Sequence, residues 1–334
     1  MPNNAQYATA AVAAAGVLGG AYCAYRAYQQ SQDSKIPDQW TQVGTLKDMF
    51  VYPIKSCQPV PVDKVECTFL GLKNGWLRDR LLVVVDDANN FITARGFPVL
   101  YSVKPSVNNS VLTLRTADGS FVNVDLAEVV ATQKPKTATV WGNELPVYDC
   151  GDEASAWFTK LINKPESTFR LVYYASQNCR KPPTDPRTKV FKFTKNDAGA
   201  FGDDTSFNLI NEASVEDLNS RVKDSEITVA HFRPNFVLAG AKAYDEDNWK
   251  FVKIGENVFK IVMPCTRCVI TTMDPETGAR HPDNEPLKTL RSYRLVEGEK
   301  LRKIMGTSPR MGLQMALRSS PGGFISLNDP IYVA

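Results

Sequence analysis

Two thiols hold the most reactive chemistry in this chain. Cys265 and Cys268 stand three positions apart in Pro264-Cys-Thr-Arg-Cys268, with Arg267 beside the second. A neighbouring cation stabilises a thiolate, the form that attacks electrophiles and binds metals. The motif follows a strand-like run at 258–263 and precedes Val269-Ile-Thr-Thr272, β-branched and also read as a strand, then the turn Asp274-Pro-Glu-Thr-Gly278. Spacing leaves four readings open. Structural zinc needs four ligands, and with no second CxxC or CxxH it would have to recruit Cys57 or Cys179. A thioredoxin-like dithiol wants a helix after the motif, where this sequence has β-branched residues. A soft metal needs only one of the thiols if a cofactor brings the other sulfurs. The fourth reading is a buried CxxC with no chemistry.

Counting removes other classes. His231 and His281 are the only histidines, which excludes a metal held by three imidazoles and any HExxH site. Seven cysteines, odd in number and sparse in 334 residues, fit a reducing compartment. Lys+Arg 39 against Asp+Glu 36 leaves +3, too even for a nucleic-acid binder. No Walker loop or GxGxxG occurs, so an ATP- or NAD-binding Rossmann domain is not expected.

The elements that must position the thiols are mainly strands. Leu81-Leu-Val-Val-Val85, a turn at 86–90 and Phe91-Ile-Thr-Ala94 read as one hairpin. Val111-Leu-Thr-Leu-Arg115, Asp118-Gly119 and Phe121-Val-Asn-Val124 read as another. Helices are expected at 153–162 and from the capping-box-like Ser214-Val-Glu-Asp217 to about Val222. Further strand-like runs lie at 207–210, 236–238 and 324–326. The Pro-rich, basic stretch 178–197 marks a domain junction. The division is then 1–39 for anchor and linker, 40–180 for a first β-rich domain and 181–334 for a second. Residues 5–25 carry no charge and as a helix would span roughly 30 Å, one hydrocarbon core. The first positive charge, Arg26, follows this stretch, so the positive-inside rule leaves the body in the cytosol.

Several segments set cations or polar groups beside glycine, proline or strand ends, as an anionic cofactor requires. They are Val51-Tyr-Pro-Ile-Lys-Ser-Cys57, Gly71-Leu-Lys-Asn-Gly-Trp-Leu-Arg-Asp-Arg80, Phe232-Arg-Pro-Asn235 and the cysteine motif. With Thr93-Ala-Arg-Gly-Phe-Pro98, Asn211-Glu-Ala-Ser214 and Asp329-Pro-Ile-Tyr332, they resemble the MOSC family in type and order, and within it the amidoxime-reducing enzymes of mitochondria.

That resemblance implies a mainly β (α+β) fold: an amino-terminal β-rich domain and a MOSC β-barrel domain, preceded here by a single membrane-anchor helix. It implies a molybdenum–molybdopterin cofactor between the domains, with Cys268 as the protein ligand to the metal and Cys265 as a neighbour. Cofactor-binding positions carry over as Lys55, Ser56, Arg80, Asp203, Asp204, Arg233, Asn235, Thr266 and Arg267. Asp204 and Ser206 depart from the family's pattern, which has proline at the second of these positions. An altered aromatic position near 308–314 leads us to expect no cofactor contact from Gln314. The implied activity is reduction of N-hydroxylated compounds, amidoximes and hydroxylamines, to amidines or amines. Electrons would come from cytochrome b5 and its NADH-dependent reductase at the outer mitochondrial membrane. The rivals are a sulfur carrier using Cys268 as a persulfide and a cofactor-binding or delivery module.

Overall fold

Alternating apolar residues turn most of this chain into half-buried strands. In Val111–Arg115 and Phe121–Asp125 the residues Leu112, Leu114, Val122 and Val124 face inward while their neighbours are partly or fully exposed. Leu112 pairs with Val124 across the Asp118-Gly119 turn, as expected from the sequence. The computed structural model describes residues 35–334, apart from Asp224 and the side chain of Lys189. The expected anchor at 5–25 lies outside the described residues. Among those described, no helix is long and apolar enough to cross a membrane.

Residues Trp40–Ala334 gather into one unit, and its centre is a closed seven-strand barrel. Around it run Phe236–Ala239, Phe207–Asn211, Arg310–Leu317, Asn257–Thr266, Phe251–Ile254, Pro330–Val333 and Thr41–Val51, which pairs back onto Phe236–Ala239. Every pair is antiparallel except Phe207–Asn211 with Phe236–Ala239. The barrel interior is filled by Leu46, Met49, Phe207, Phe236, Phe259 and Met315, each at most 1% exposed. Phe259 meets Phe207 and Phe236 edge-on at 5.0 and 5.6 Å. Closure leaves no free edge.

A second core lies under the sheet Lys136–Val140, Asn143–Asp149, Arg170–Tyr174 and Leu82–Val85, covered by the helix Asp152–Ile162. Mainly β architecture was expected, and so was this helix. Three local expectations need correction. Phe91-Ile-Thr-Ala94 is not a strand; Phe91 makes one isolated bridge to Val85. The helix expected to start at Ser214 runs Glu212–Arg221 and is capped by Asn211, whose Oδ1 accepts from Ala213 N at 3.2 Å. Ser214 Oγ instead donates to the buried Glu246 at 2.7 Å.

The third correction bears on the site. Val269–Thr272 is a 3-10 turn, not a strand. The Thr271 and Thr272 hydroxyls donate back to Cys268 O and Val269 O at 2.9 and 2.8 Å. Such local side-chain bonds let β-branched threonines close a tight turn that their strand propensity argues against.

Candidate active site

The cleft lies on the outer wall of the barrel, where Asn208 and Gln314 alternate with the inward-facing Phe207, Leu313 and Met315, and where Thr41–Val51 ends beside the start of Phe236–Ala239. Register shifts between Ile261 and Met263 and between Pro264 and Thr266 bulge the Asn257–Thr266 strand as it arrives. Bulges re-aim side chains at barrel rims, and they accommodate Pro264, which has no N–H for a ladder. Past the second bulge the two thiols part. Cys265 is buried, and its Sγ accepts from Asn208 Nδ2 and Gln314 Nε2, both at 3.2 Å. Burial pushes its thiol above the ordinary range, with Arg267 opposing. Cys268 is partly exposed, extended at φ −122°, and sits at the head of the 3-10 turn facing the cleft.

All ten residues expected at the site line this one cleft: Lys55, Ser56, Arg80, Asp203, Asp204, Arg233, Asn235, Thr266, Arg267 and Cys268. The structure also places Gln314 there, tying Cys265 to Thr205, whose Oγ1 donates to Gln314 Oε1 at 2.7 Å. Lys55 is 6% exposed, donates to Phe201 O at 2.9 Å and pairs with Asp203. Burial lowers the Lys55 ammonium, and Asp203 partly offsets that. Desolvation alone would raise the Asp203 carboxyl, but Lys55, Arg95 and Arg80 outweigh it and hold Asp203 well below the usual range. Asp204 goes the other way: burial and the charge of Asp203 raise it, despite an ion pair with Arg187 at 2.8 Å.

Arg80 and Arg233 flank Tyr52, their guanidiniums 4.5 and 4.4 Å from its ring centre. Asp79, 3% exposed, organises this corner by accepting from Arg80 NH1 at 2.6 Å, Tyr52 N at 2.8 Å and Asn235 Nδ2 at 3.0 Å. Asn235 also donates to Phe50 O at 3.2 Å, so both its amide hydrogens are engaged within the protein. Arg267 reaches Met311 O at 2.7 Å and Phe232 O at 2.8 Å, bracing the barrel rim. Ser56 Oγ accepts from Ala94 N at 3.0 Å, which leaves its proton available to a ligand.

Ser56, Arg80 and Arg233 share a property the sequence does not advertise. Their φ values are 74°, 48° and 51°, in the left-handed region that costs a side-chain-bearing residue roughly 1–2 kcal/mol. Three such residues in one cleft mark a site whose geometry is imposed by its surroundings. Sequence reasoning also passed over Arg95, Tyr101, Asn208 and His231, all of which line the cleft. Arg95 lies within Thr93-Ala-Arg-Gly-Phe-Pro98, so that segment held a usable signal. His231 Nδ1 accepts from Thr228 N at 3.1 Å, and burial lowers its pKa, so the ring is neutral near pH 7.

Two family models match this chain. The MOSC N-terminal beta barrel domain spans residues 43–165, and the MOSC domain spans residues 196–332. Over 292 residues the chain is 36% identical to mitochondrial amidoxime-reducing component 1 of Homo sapiens, covering 87% of this chain and 83% of that protein. It is 37% identical to the Mus musculus component 1 over the same shares. Against mitochondrial amidoxime reducing component 2 of Bos taurus it is 36% identical, again over 87% and 83%. With both MOSC modules matched and identity of this order along most of its length, the chain belongs to the MOSC-domain family of mitochondrial amidoxime-reducing components.

Proposed function

We propose that the protein is a molybdenum-cofactor-dependent reductase of N-hydroxylated compounds, converting amidoximes and hydroxylamines to amidines and amines. The observation that supports this most is a partly exposed thiol, Cys268, in a cleft lined by Lys55, Arg80, Arg95, Arg233 and Arg267 against only Asp203 and Asp204. Five cations facing two carboxylates suit a polyanionic organic group, and a thiol suits a soft metal. The lining fits the cofactor in a second respect: Tyr101 Oη is buried there without a hydrogen-bond partner among the described residues. Nor do the described residues include any cluster of three His, Cys, Asp or Glu able to hold a metal ion. A metal at Cys268 would therefore draw its other ligands from a cofactor.

When bound, the molybdenum cofactor supplies the two-electron redox couple. Cys268 is the protein thiolate ligand. Lys55, Arg80 and Arg233 neutralise the phosphate, and Ser56 and Thr266 offer hydroxyls to the pterin's polar edge. Asp203, held ionised, accepts from pterin N–H groups, with Asp204 beside it. Asn235 and Arg267 act mainly by bracing, since most of their polar reach is already engaged in the protein. In the net reaction the N–O bond breaks, and two electrons and two protons yield an N–H bond and water.

On this reading the electrons arrive from cytochrome b5 and NADH-cytochrome b5 reductase, because the sequence carries no haem-binding histidine pair or flavin motif. Residues 5–25 anchor the protein in the mitochondrial outer membrane with its catalytic body toward the cytosol. The body divides into modules 40–180 and 181–334, the first lending the strand Thr41–Val51 to the barrel.

Metal and pterin analysis of the purified protein, with benzamidoxime reduction by the reconstituted electron chain, tests this. Stoichiometric molybdenum and benzamidine formation are expected, both lost in Cys268→Ala and turnover kept in Cys265→Ala. Molybdenum without turnover would favour a delivery module, and a labile persulfide without molybdenum a sulfur carrier. Release of the full-length chain by carbonate extraction would sink the anchor.

A further inference from the structure

Cys268 is reached from two sides. A second cleft meets it, lined by Trp141, Pro183, Thr184, Asp185, Arg187 and Ser308 and sharing Cys268 and its neighbours with the first. Its chemistry is different. Arg95, Arg187 and Arg267 are matched there by Asp185, Asp203 and Asp204, and the Thr184 and Ser308 hydroxyls add neutral polarity. A charge-balanced cleft with one aromatic wall does not favour a polyanion. It favours a neutral, polar, planar molecule.

Trp141 is held in place against a backbone penalty. With Gly142 it forms the two-residue loop between Lys136–Val140 and Asn143–Asp149, where Val140 pairs with Asn143. The φ values of 51° and 72° are those of a turn that normally takes Asn-Gly. A bulky residue at positive φ is uncommon and costly. Contacts fix the indole: Phe91 packs at 4.7 Å between ring centres, and Lys55 and Arg95 lie 5.2 and 5.5 Å from its ring. The Arg187–Asp204 pair, 2.8 Å, lines the same cleft and links the helix Pro186–Phe191 to the Asp203–Asp204 turn.

We propose that this second cleft is the substrate subsite and that Trp141 is its specificity-determining residue. A neutral N-hydroxylated amidine or amine enters with its aryl or alkyl substituent against Trp141 and its N–OH toward Cys268. The inference rests on the reductase reading above and deepens it by separating where the cofactor and the substrate are held. For an amidoxime the balance is RC(NH2)=NOH plus two electrons and two protons, giving RC(NH2)=NH plus water. The electrons come from the haem-protein donor, and the oxygen leaves as water.

The test uses holoenzyme of wild type, Trp141→Ala and Thr184→Leu, with benzamidoxime and hydroxylamine as substrates. Binding of benzamidine to the oxidised enzyme is followed by calorimetry. For Trp141→Ala the ratio of kcat/KM for benzamidoxime to that for hydroxylamine is expected to fall about tenfold, mainly through KM, as loss of an aromatic contact implies. Benzamidine affinity should fall in parallel while molybdenum and pterin content hold. Thr184 lines only the second cleft, and Thr184→Leu should lower the same ratio by narrowing it. A loss equal for both substrates and tracking cofactor content would make Trp141 a mere support for Lys55 and Arg95, overturning the proposal. An unchanged ratio with unchanged benzamidine affinity in both variants overturns it too. A wild type that holds no molybdenum and reduces neither substrate is instead the failure of the reductase reading.

Discussion

Asp79 does not line the cleft, yet the corner that holds Arg80 and Asn235 depends on it. Asp79→Asn keeps the shape and removes the charge. The remaining oxygen can still accept from Tyr52 N and Asn235 Nδ2, but the new amide hydrogens then face the Arg80 guanidinium that Oδ2 now binds at 2.6 Å. A charge-assisted hydrogen bond contributes about 1.5–3 kcal/mol, and breaking a buried ion pair costs about 3–5 kcal/mol. Asp79 is 3% exposed and Arg80 18%, so water reaches only one partner. The intermediate exposure sets the expected loss at about 3 kcal/mol. Urea unfolding measures it as a lower midpoint at unchanged slope, and cofactor retention should weaken along with it. In an Arg80→Leu background the same substitution should cost about 1 kcal/mol or less, because the paired cation is gone. If Asp79→Asn cost under about 0.5 kcal/mol, or the same in both backgrounds, the pairing would not be what holds this corner.

Two further outcomes are expected away from the cleft. Burial would raise Asp149, but Arg170 at 2.6 Å and Lys136 at 2.9 Å outweigh it and hold the carboxyl at about 2, below its ordinary 3.8. A depressed carboxylate stabilises above its unfolded pKa, so its contribution is complete above pH about 4 and is lost as pH falls toward 2. Allowing for screening at the exposed Lys136, Asp149→Asn should cost about 1 kcal/mol at pH 7 and progressively less as pH falls from about 4 through about 2, read from unfolding midpoints across that range. Gly312 has φ 75°, and a Cβ there would lie 2.5 Å from Leu209 O and 2.8 Å from Ile210 Cδ1. Gly312→Ala should therefore destabilise the barrel by about 3 kcal/mol in thermal melts, combining left-handed strain with overpacking.

How much of this was legible differs by residue. The Leu112 and Leu114 alternation and the Asp118-Gly119 turn are local signals, and that hairpin forms as read. Val269–Thr272 carries strand propensity, but threonine hydroxyls bonding to carbonyls three residues back close it into a turn, a local competition that propensity does not weigh. Asn211 outcompetes Ser214 as the helix cap because Ser214 is drawn to the buried Glu246, 32 residues away in sequence. The cleft was readable as a set of motifs, since each segment joins a cation or hydroxyl to a turn. Its strain was not, because nothing in the identities of Ser56, Arg80 and Arg233 announces positive φ. Trp141-Gly142 hid for the converse reason: a tryptophan occupies a loop position where Asn is the recognisable residue.

The pairing of Thr41 with Val333 and of Gly44 with Ile331 also has a temporal meaning. Strands from opposite extremes of the described chain are neighbours, so the barrel cannot close while a ribosome still holds residues 330–333. Until then Phe207, Phe236 and Phe259 stay open to water, and the nascent protein depends on protection from aggregation. Removing 330–333 would break the ring between Thr41–Val51 and Phe251–Ile254 and expose two unpaired edges. The half of Thr41–Val51 that leads into the loop carrying Lys55 and Ser56 would still be held by Phe236–Ala239 and Val60–Pro61. Loss of residues 330–333 would thereby open the barrel first along strands that do not line the cleft.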